Sequence, residues 1–367
     1  MDPSLDPINY VYQKEAGEGI IIYHVEMGCT SYKKYWHLRK DKKGKRNKDW
    51  ISRTDKLRRE YPSARIRESI LTQTAKDEGL KKIGDEGLQR SSPQGGDPSH
   101  STCVIQRAAG TTGGAANKAT VQPIKIGKKL TLDNVAEGLE TAVSTIKSDE
   151  TAGKAIVLLT SGFKKEMDSG SAIDSCRDSL KELVKMGVPI VASAGNSAQS
   201  ANNRGLRKAV DTYPPVLGNE IPMIVVGNVN WDGTTSPSSQ GQDDDSIRNP
   251  DKALVQIHAM GVGITCLDKY GKDDGLPGSG TSYSAPLVAG QLAVLMSTND
   301  PMLPFHGKTG EDFVRSAKKF IEDVAQWKRP SGTSVTERDG RVIHGQNKVL
   351  WNGVSARIQE YFAAPEC

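Results

Sequence analysis

Gly280-Thr-Ser-Tyr-Ser-Ala-Pro-Leu-Val-Ala-Gly290 is the stretch on which the reading of this 367-residue chain turns. A glycine-rich approach, Pro277-Gly-Ser-Gly280, enters Thr281 and Ser282, and an apolar run then continues to Met296. That order predicts a buried helix with Ser282 at its N-terminus. Unpaired N–H groups and the helix dipole there favour developing negative charge, which suits a nucleophile attacking a carbonyl. Pro286 is expected in about the first turn, where its missing N–H costs little. Taken alone, a serine before an apolar run reads as an N-cap on a buried helix.

Two other segments change the weight of that serine. Val191-Ala-Ser-Ala-Gly-Asn196 is an apolar strand ending in glycine and a polar amide. The amide NH₂ is a suitable donor to a tetrahedral oxyanion, although strand-Gly-Asn by itself is an ordinary turn. His100-Ser-Thr-Cys-Val104 follows a Gly/Pro loop and precedes a stretch that can be helical. Histidine serves as a general base near neutral pH; the plainer role is packing or capping. His24, His37, His258, His306 and His344 have no comparable loop-to-helix setting.

Apolar runs alternate with helix-period stretches along the chain. Candidate buried strands are Gly19–Val25, Ala155–Thr160, Val188–Ala194 and Pro222–Val229, each short and mostly rich in Ile and Val. Leu132, Val135, Ala136, Leu139, Val143 and Ile146 form one helical stripe, and Ile173, Cys176, Leu180, Leu183 and Val184 a second. Phe313–Trp327 reads as a further amphipathic helix, within a helical extension from about 301 to 367. Such alternation predicts an α/β fold with a mostly parallel central sheet and helices on both faces. Active groups in such sheets gather at the carboxyl ends of the strands. There are no internal repeats.

Gly-Thr-Ser-x-Ser-Ala-Pro at 280–286, with Ser-Ala-Gly-Asn at 193–196 and His-x-Thr-x-Val at 100–104, resembles the subtilisin-like serine proteases (subtilases). The resemblance runs from about residue 17 to 296. It implies a three-layer α/β sandwich, a triad in chain order acid, His, Ser, and peptide or protein substrates. Ser282 matches the family's nucleophile, His100 its base and Asn196 its oxyanion donor. The family's acid stands in an apolar-Asp-x-Gly pattern; Val25-Glu-Met-Gly28 matches it, so Glu26 takes that position. Thr160, Ser161 and Gly162, and Ser193, Ala194 and Gly195, resemble the two segments that flank the substrate side chain.

Three positions depart from the pattern. Glu26 replaces Asp, adding a methylene, so the strand end must retract or the side chain bend. Ser101 stands where the family has Gly and is expected to crowd the catalytic face. Met260 stands where Pro is usual. Asp97 is a poor substitute acid, because a loop does not bury and fix it. The departures leave open a pseudoprotease that binds without turnover, and a fold recruited for another acyl transfer such as ligation or cyclisation.

Composition bounds the rest. With 36% hydrophobic residues and a net charge of +5, the whole chain is not expected to be disordered. No run of about 18 apolar residues exists, so no membrane span is expected. From Ser31 to Arg90 there are 19 Lys/Arg against 9 Asp/Glu, a local +10 that leaves −5 elsewhere. The 31–95 segment therefore reads as a basic, solvated surface insertion with one or two short helices, rather than a nucleic-acid surface. The motif order spreads one site from Glu26 to Ser282, which predicts a single domain over 1–367. No signal peptide or N-glycosylation acceptor is visible, and five cysteines form no disulfide framework. An intracellular protein fits these signs; so does a mature fragment of a secreted precursor. Cys103 reads as small buried packing, or as a reactive free thiol beside the base. No cofactor is expected. Calcium is common in subtilases, but Asp243-Asp-Asp245 reads as a solvated loop. Oligomeric state is not legible.

Overall fold

The computed structural model describes residues 16–26, 65–80, 98–111, 113–164, 170–199, 207–265 and 278–351. In chain order the strands are β1 (Ile21–Glu26), β2 (Ile70–Leu71), β3 (Thr120–Lys125), β4 (Ala155–Leu159), β5 (Phe163–Lys164), β6 (Ile190–Ser193), β7 (Thr212–Tyr213), β8 (Ile224–Val229), β9 (Val255–Met260), β10 (Gln326–Thr336) and β11 (Val342–Leu350). The helices are α1 (Gln73–Asp77), α2 (Pro98–Ala109), α3 (Leu132–Ser148), α4 (Gly170–Lys185), α5 (Asp244–Arg248), α6 (Thr281–Ser297) and α7 (Gly310–Asp323). The main sheet has the order β10-β11-β9-β8-β6-β4-β1-β3-β2. Its pairs from β2 to β11 are parallel, and only the β10–β11 hairpin is antiparallel. β5 and β7 form a separate antiparallel pair.

Both faces of the sheet are buried, as the continuous Ile/Val runs require. Side chains alternate across the strands. Ile22, Leu158, Val191 and Val226 pack on the face covered by α2 and α6. Tyr23, Val25, Val157, Ile190 and Val225 pack on the face covered by α3 and α4. Burying each such aliphatic side chain stabilises the fold by about 1.5–3 kcal/mol. His24 and Glu26 follow Ile22 at period two, so both lie on the α2/α6 face.

α6 is buried along most of its length and runs against α2. Gly290 permits that approach, since a Cβ there would lie 2.6 Å from the carbonyl oxygen of Ala108 and 2.7 Å from the Cβ of Ala115. Gly290→Ala is therefore expected to lower unfolding free energy by about 1–3 kcal/mol, the usual cost of overpacking. Denaturant titration measures it.

The four expected strands and the two expected helices under them are present. Four readings need correction. α6 begins at Thr281, so Pro286 is its sixth residue and lies beyond the first turn. Its ring nitrogen has no hydrogen to give the carbonyl of Ser282. α7 ends at Asp323 rather than Trp327, and Val324 is 56% exposed. The chain then turns into β10, so the described part of the C-terminal region, 301–351, holds a helix and a hairpin instead of a helical extension, and 352–367 lie outside the described residues. Part of the 31–95 segment belongs to the sheet. Ile66 bridges to Val121, and β2 pairs with β3 at its edge, because Ile66, Ile70 and Leu71 are apolar within charged surroundings. Residues 31–64 and 81–95, Asp97 and Gly28 lie outside the described residues. Finally, β3 and β9 were not expected as strands.

Candidate active site

The parallel strands point their carboxyl ends to one edge of the sheet. Glu26 ends β1, Thr160 follows β4, and Ser193 ends β6 three residues before Asn196. The chain passes from β1 to β3 on one side and later to β4 on the other. The β1/β4 gap is thus a topological switch point, where α/β sheets open a crevice. The N-terminal ends of α2 and α6 bring in His100 and Ser282 from the covering layer.

Glu26 is 1% exposed, and its carboxylate is held on both oxygens. Oε1 lies 2.9 Å from Nδ1 of His100, whose side chain is 27% exposed. Oε2 accepts from the Thr160 hydroxyl at 3.0 Å and lies 3.1 Å from Nε2 of His24. Burial alone would push the carboxyl up, but the charge and hydrogen bonds of His100 and His24 outweigh it and hold Glu26 well below the usual carboxylate range. A carboxylate opposite Nδ1 assigns the proton to that nitrogen, which leaves Nε2 of His100 as the acceptor. The added methylene of Glu does not break the strand, because β1 stays paired to β3 through Glu26 and Lys125.

Asn196 is tied to the residue before Ser282. Its Oδ1 accepts from the Thr281 backbone N–H at 2.8 Å and from the Thr281 hydroxyl at 3.1 Å. Because a backbone N–H requires an acceptor, the amide orientation is fixed and its NH₂ faces away from Thr281. Asn196 thereby also satisfies one orphan donor of α6. The Thr281 hydroxyl lies 3.1 Å from the N–H of Gly195. Gly195 has φ +106°, and a Cβ there would meet Oε1 of Gln240 at 2.2 Å, so the turn needs glycine on both grounds. Tyr283 packs its ring 5.5 Å from the His100 ring, which sets the first turn of α6 beside the start of α2.

Residues 66–332 match the Subtilase family. The chain belongs to that family. The matched stretch contains His100, Asn196 and Ser282 and begins after Glu26. A subtilisin-like serine protease of Penicillium rubens, Pen ch 13, is 26% identical over 95% of this chain and 65% of its own length. Pen c 1 of Penicillium citrinum is 24% identical, again over 95% of this chain and 65% of the relative. The chain thus spans about 65% of the length of these curated relatives. In fold it is similar to a cold-adapted subtilisin-like serine proteinase, with a TM-score of 0.57 at 17% identity, over 95% of this chain and 93% of the other.

Other site residues of this subtilase take mixed positions. Thr160 is 7% exposed and its hydroxyl serves Glu26. Ser161 is buried beside it, and Gly162 abuts Thr212 of β7, where a Cβ would lie 2.6 Å from the hydroxyl oxygen. Ser193 and Ala194 are buried at the end of β6. Ser101 does not crowd the cleft; it is fully buried, with its hydroxyl 3.3 Å from Nδ1 of His24. Cys103 is not a free thiol. It is disulfide-bonded, to a partner outside the described residues, and packs with Ile264, Met260 and Tyr283. Asp243 caps α5 by accepting from the N–H of Ser246, and Asp244 and Asp245 lie in that helix's first turn. Among the described residues no group of three or more His, Cys, Asp or Glu is placed to hold a metal, and no helix is long and apolar enough to cross a membrane.

Sequence reasoning missed His24 and Thr281 and misjudged Ser101. His24 had one available signal: it precedes Glu26 by two on a strand, so the two share a face.

Proposed function

We propose that this subtilase hydrolyses peptide bonds in peptide or protein substrates through an acyl-enzyme, with Glu26, His100 and Ser282 as its triad. The 2.9 Å contact between Glu26 and Nδ1 of His100 carries this reading, because an orienting acid is what a base needs to present Nε2. Ser282 Oγ attacks the scissile carbonyl carbon and its proton passes to Nε2 of His100. The tetrahedral oxygen is held by the Asn196 NH₂ and by N–H groups at the start of α6. The intermediate collapses as His100 protonates the leaving amine, and water, deprotonated by the same nitrogen, releases the acid. Glu26 stays ionised throughout, since its partners hold it below the range in which imidazole titrates.

Asn196→Ala is expected to lower kcat by about 10²–10³-fold with little change in KM, the scale measured for the corresponding donor in subtilisin itself. Loss of the contact to Thr281 also removes a helix cap, worth about 1 kcal/mol of stability. Steady-state kinetics and a melting curve separate the two effects.

The test of the reading is mass spectrometry of a peptide library incubated with the protein. Products that sum to substrate plus one water support hydrolysis. Joined or cyclised products without added water would move the assignment to another acyl transfer. No product from correctly folded protein would leave a binding module. For compartment, the Cys103 disulfide fits an oxidising environment better than the intracellular setting read from cysteine count.

A further inference from the structure

We propose that His24 is a positioning residue that enables a glutamate to serve as this site's acid. The inference rests on the peptidase reading above and deepens it. Nε2 of His24 lies 3.1 Å from Glu26 Oε2 and 3.1 Å from the Thr160 hydroxyl oxygen. The Thr160 hydroxyl gives its own hydrogen to Oε2, so its oxygen accepts, and Nε2 of His24 carries the hydrogen shared by both. The far nitrogen, Nδ1, faces the Ser101 hydroxyl at 3.3 Å. That hydroxyl is able to donate to a neutral ring or accept from a charged one, so it suits either state. All four groups are at most 7% exposed.

Two of the three departures that raised doubt about catalysis are therefore one arrangement. Glu26 and Ser101 meet through His24, which touches both. The physical need is clear from the side chain. Glutamate has one more rotatable bond than aspartate, so a carboxylate bonded on one oxygen only is free to swing, and ordering it costs entropy. His24 and Thr160 hold Oε2, which leaves Oε1 fixed toward Nδ1 of His100. A histidine present only to fill space would not need a donor nitrogen aimed at the carboxylate and a hydroxyl placed to bond its other nitrogen. Burying so many polar atoms is costly unless every one is partnered, as here.

The test compares His24→Gln with His24→Leu in the full chain, reading kcat and KM on one cleaved peptide and the rate of Ser282 labelling by a fluorophosphonate. The Gln amide reproduces the Nε2–H donor, and Leu does not. His24→Leu is expected to lower kcat and labelling rate about 10- to 100-fold with KM within twofold, less than the ~10⁴-fold cost of an uncharged acid. His24→Gln is expected to stay within about fivefold of wild type on the same scale. Should His24→Leu fail to fold, Thr160→Val against Thr160→Ser makes the same comparison at the other Oε2 donor. Equal impairment by both His24 variants, an unimpaired His24→Leu, or a loss confined to KM overturns the proposal. Wild type that labels while His24→Leu labels equally fast sinks this inference alone. Wild type that does not label sinks the peptidase reading, and this inference with it.

Discussion

Ser282→Ala is expected to remove peptide hydrolysis almost completely, lowering kcat by about 10⁶-fold, a scale known from subtilisin and carried over here. The geometry explains why the loss falls on kcat. Ser282 is 5% exposed, in the first turn of a helix whose approach is set by Gly280 and whose first N–H is tied to Asn196. Alanine at 282 keeps the helix, the Asn196 contact and the His100–Glu26 pair. Substrate should bind as before and no acyl-enzyme should form. His100→Ala should fall as far, because nucleophile and base act as one unit. The double variant should then lose little more than either single one.

The second large effect is at Glu26. Glu26→Gln keeps shape and removes charge, and it places an amide opposite Nδ1 of His100. An amide there stabilises the wrong tautomer and costs about 10³–10⁴-fold in kcat. Glu26→Asp is the more telling change, because it installs the family's usual acid. If the site were a damaged aspartate site, aspartate would raise activity. Here Oε1 reaches His100 while Oε2 meets Thr160 and His24, and all three partners are placed for the longer side chain. Glu26→Asp is expected to lower kcat about 10-fold or more, since misplacing a group by about 1 Å is enough to cost up to 10²-fold. Steady-state kinetics on one peptide decides it, and a rise above wild type would contradict the account. The sign with pH follows from the lowered pKa. Glu26 contributes stability that is fully present above the ordinary carboxylate range, erodes as pH falls below that range, and is gone once pH lies below its depressed folded value.

The parallel core was legible because each buried strand is a continuous Ile/Val run and each covering helix shows an apolar stripe. The edges were less so. β3 carries Pro123, which opposes the usual strand signal, yet it lies buried in register with His24. The hairpin after α7 had a turn signal, Asp339-Gly340, with Gly340 at φ +85°. The sequence reading did not use that signal, and it carried the helical stripe four residues too far, from Asp323 to Trp327. At the site, Ser282, His100 and Asn196 stood in motifs that place them on local turns. The residues that support them did not, because their roles depend on contacts across strands. Thr160 meets Glu26 across 134 positions and Ser101 meets His24 across 77. The Cys103 disulfide was likewise hidden, since odd cysteines give no pairing from sequence alone.

The most direct test of the central claim is fluorophosphonate labelling of the folded wild-type chain, with the modified residue located by peptide mapping. An activated serine should carry the label at Ser282, and His100→Ala and Glu26→Gln should slow its addition in the order of their expected kinetic losses. Folded protein that takes no label at Ser282, or labels equally fast without His100, would contradict an assembled Glu26–His100–Ser282 site.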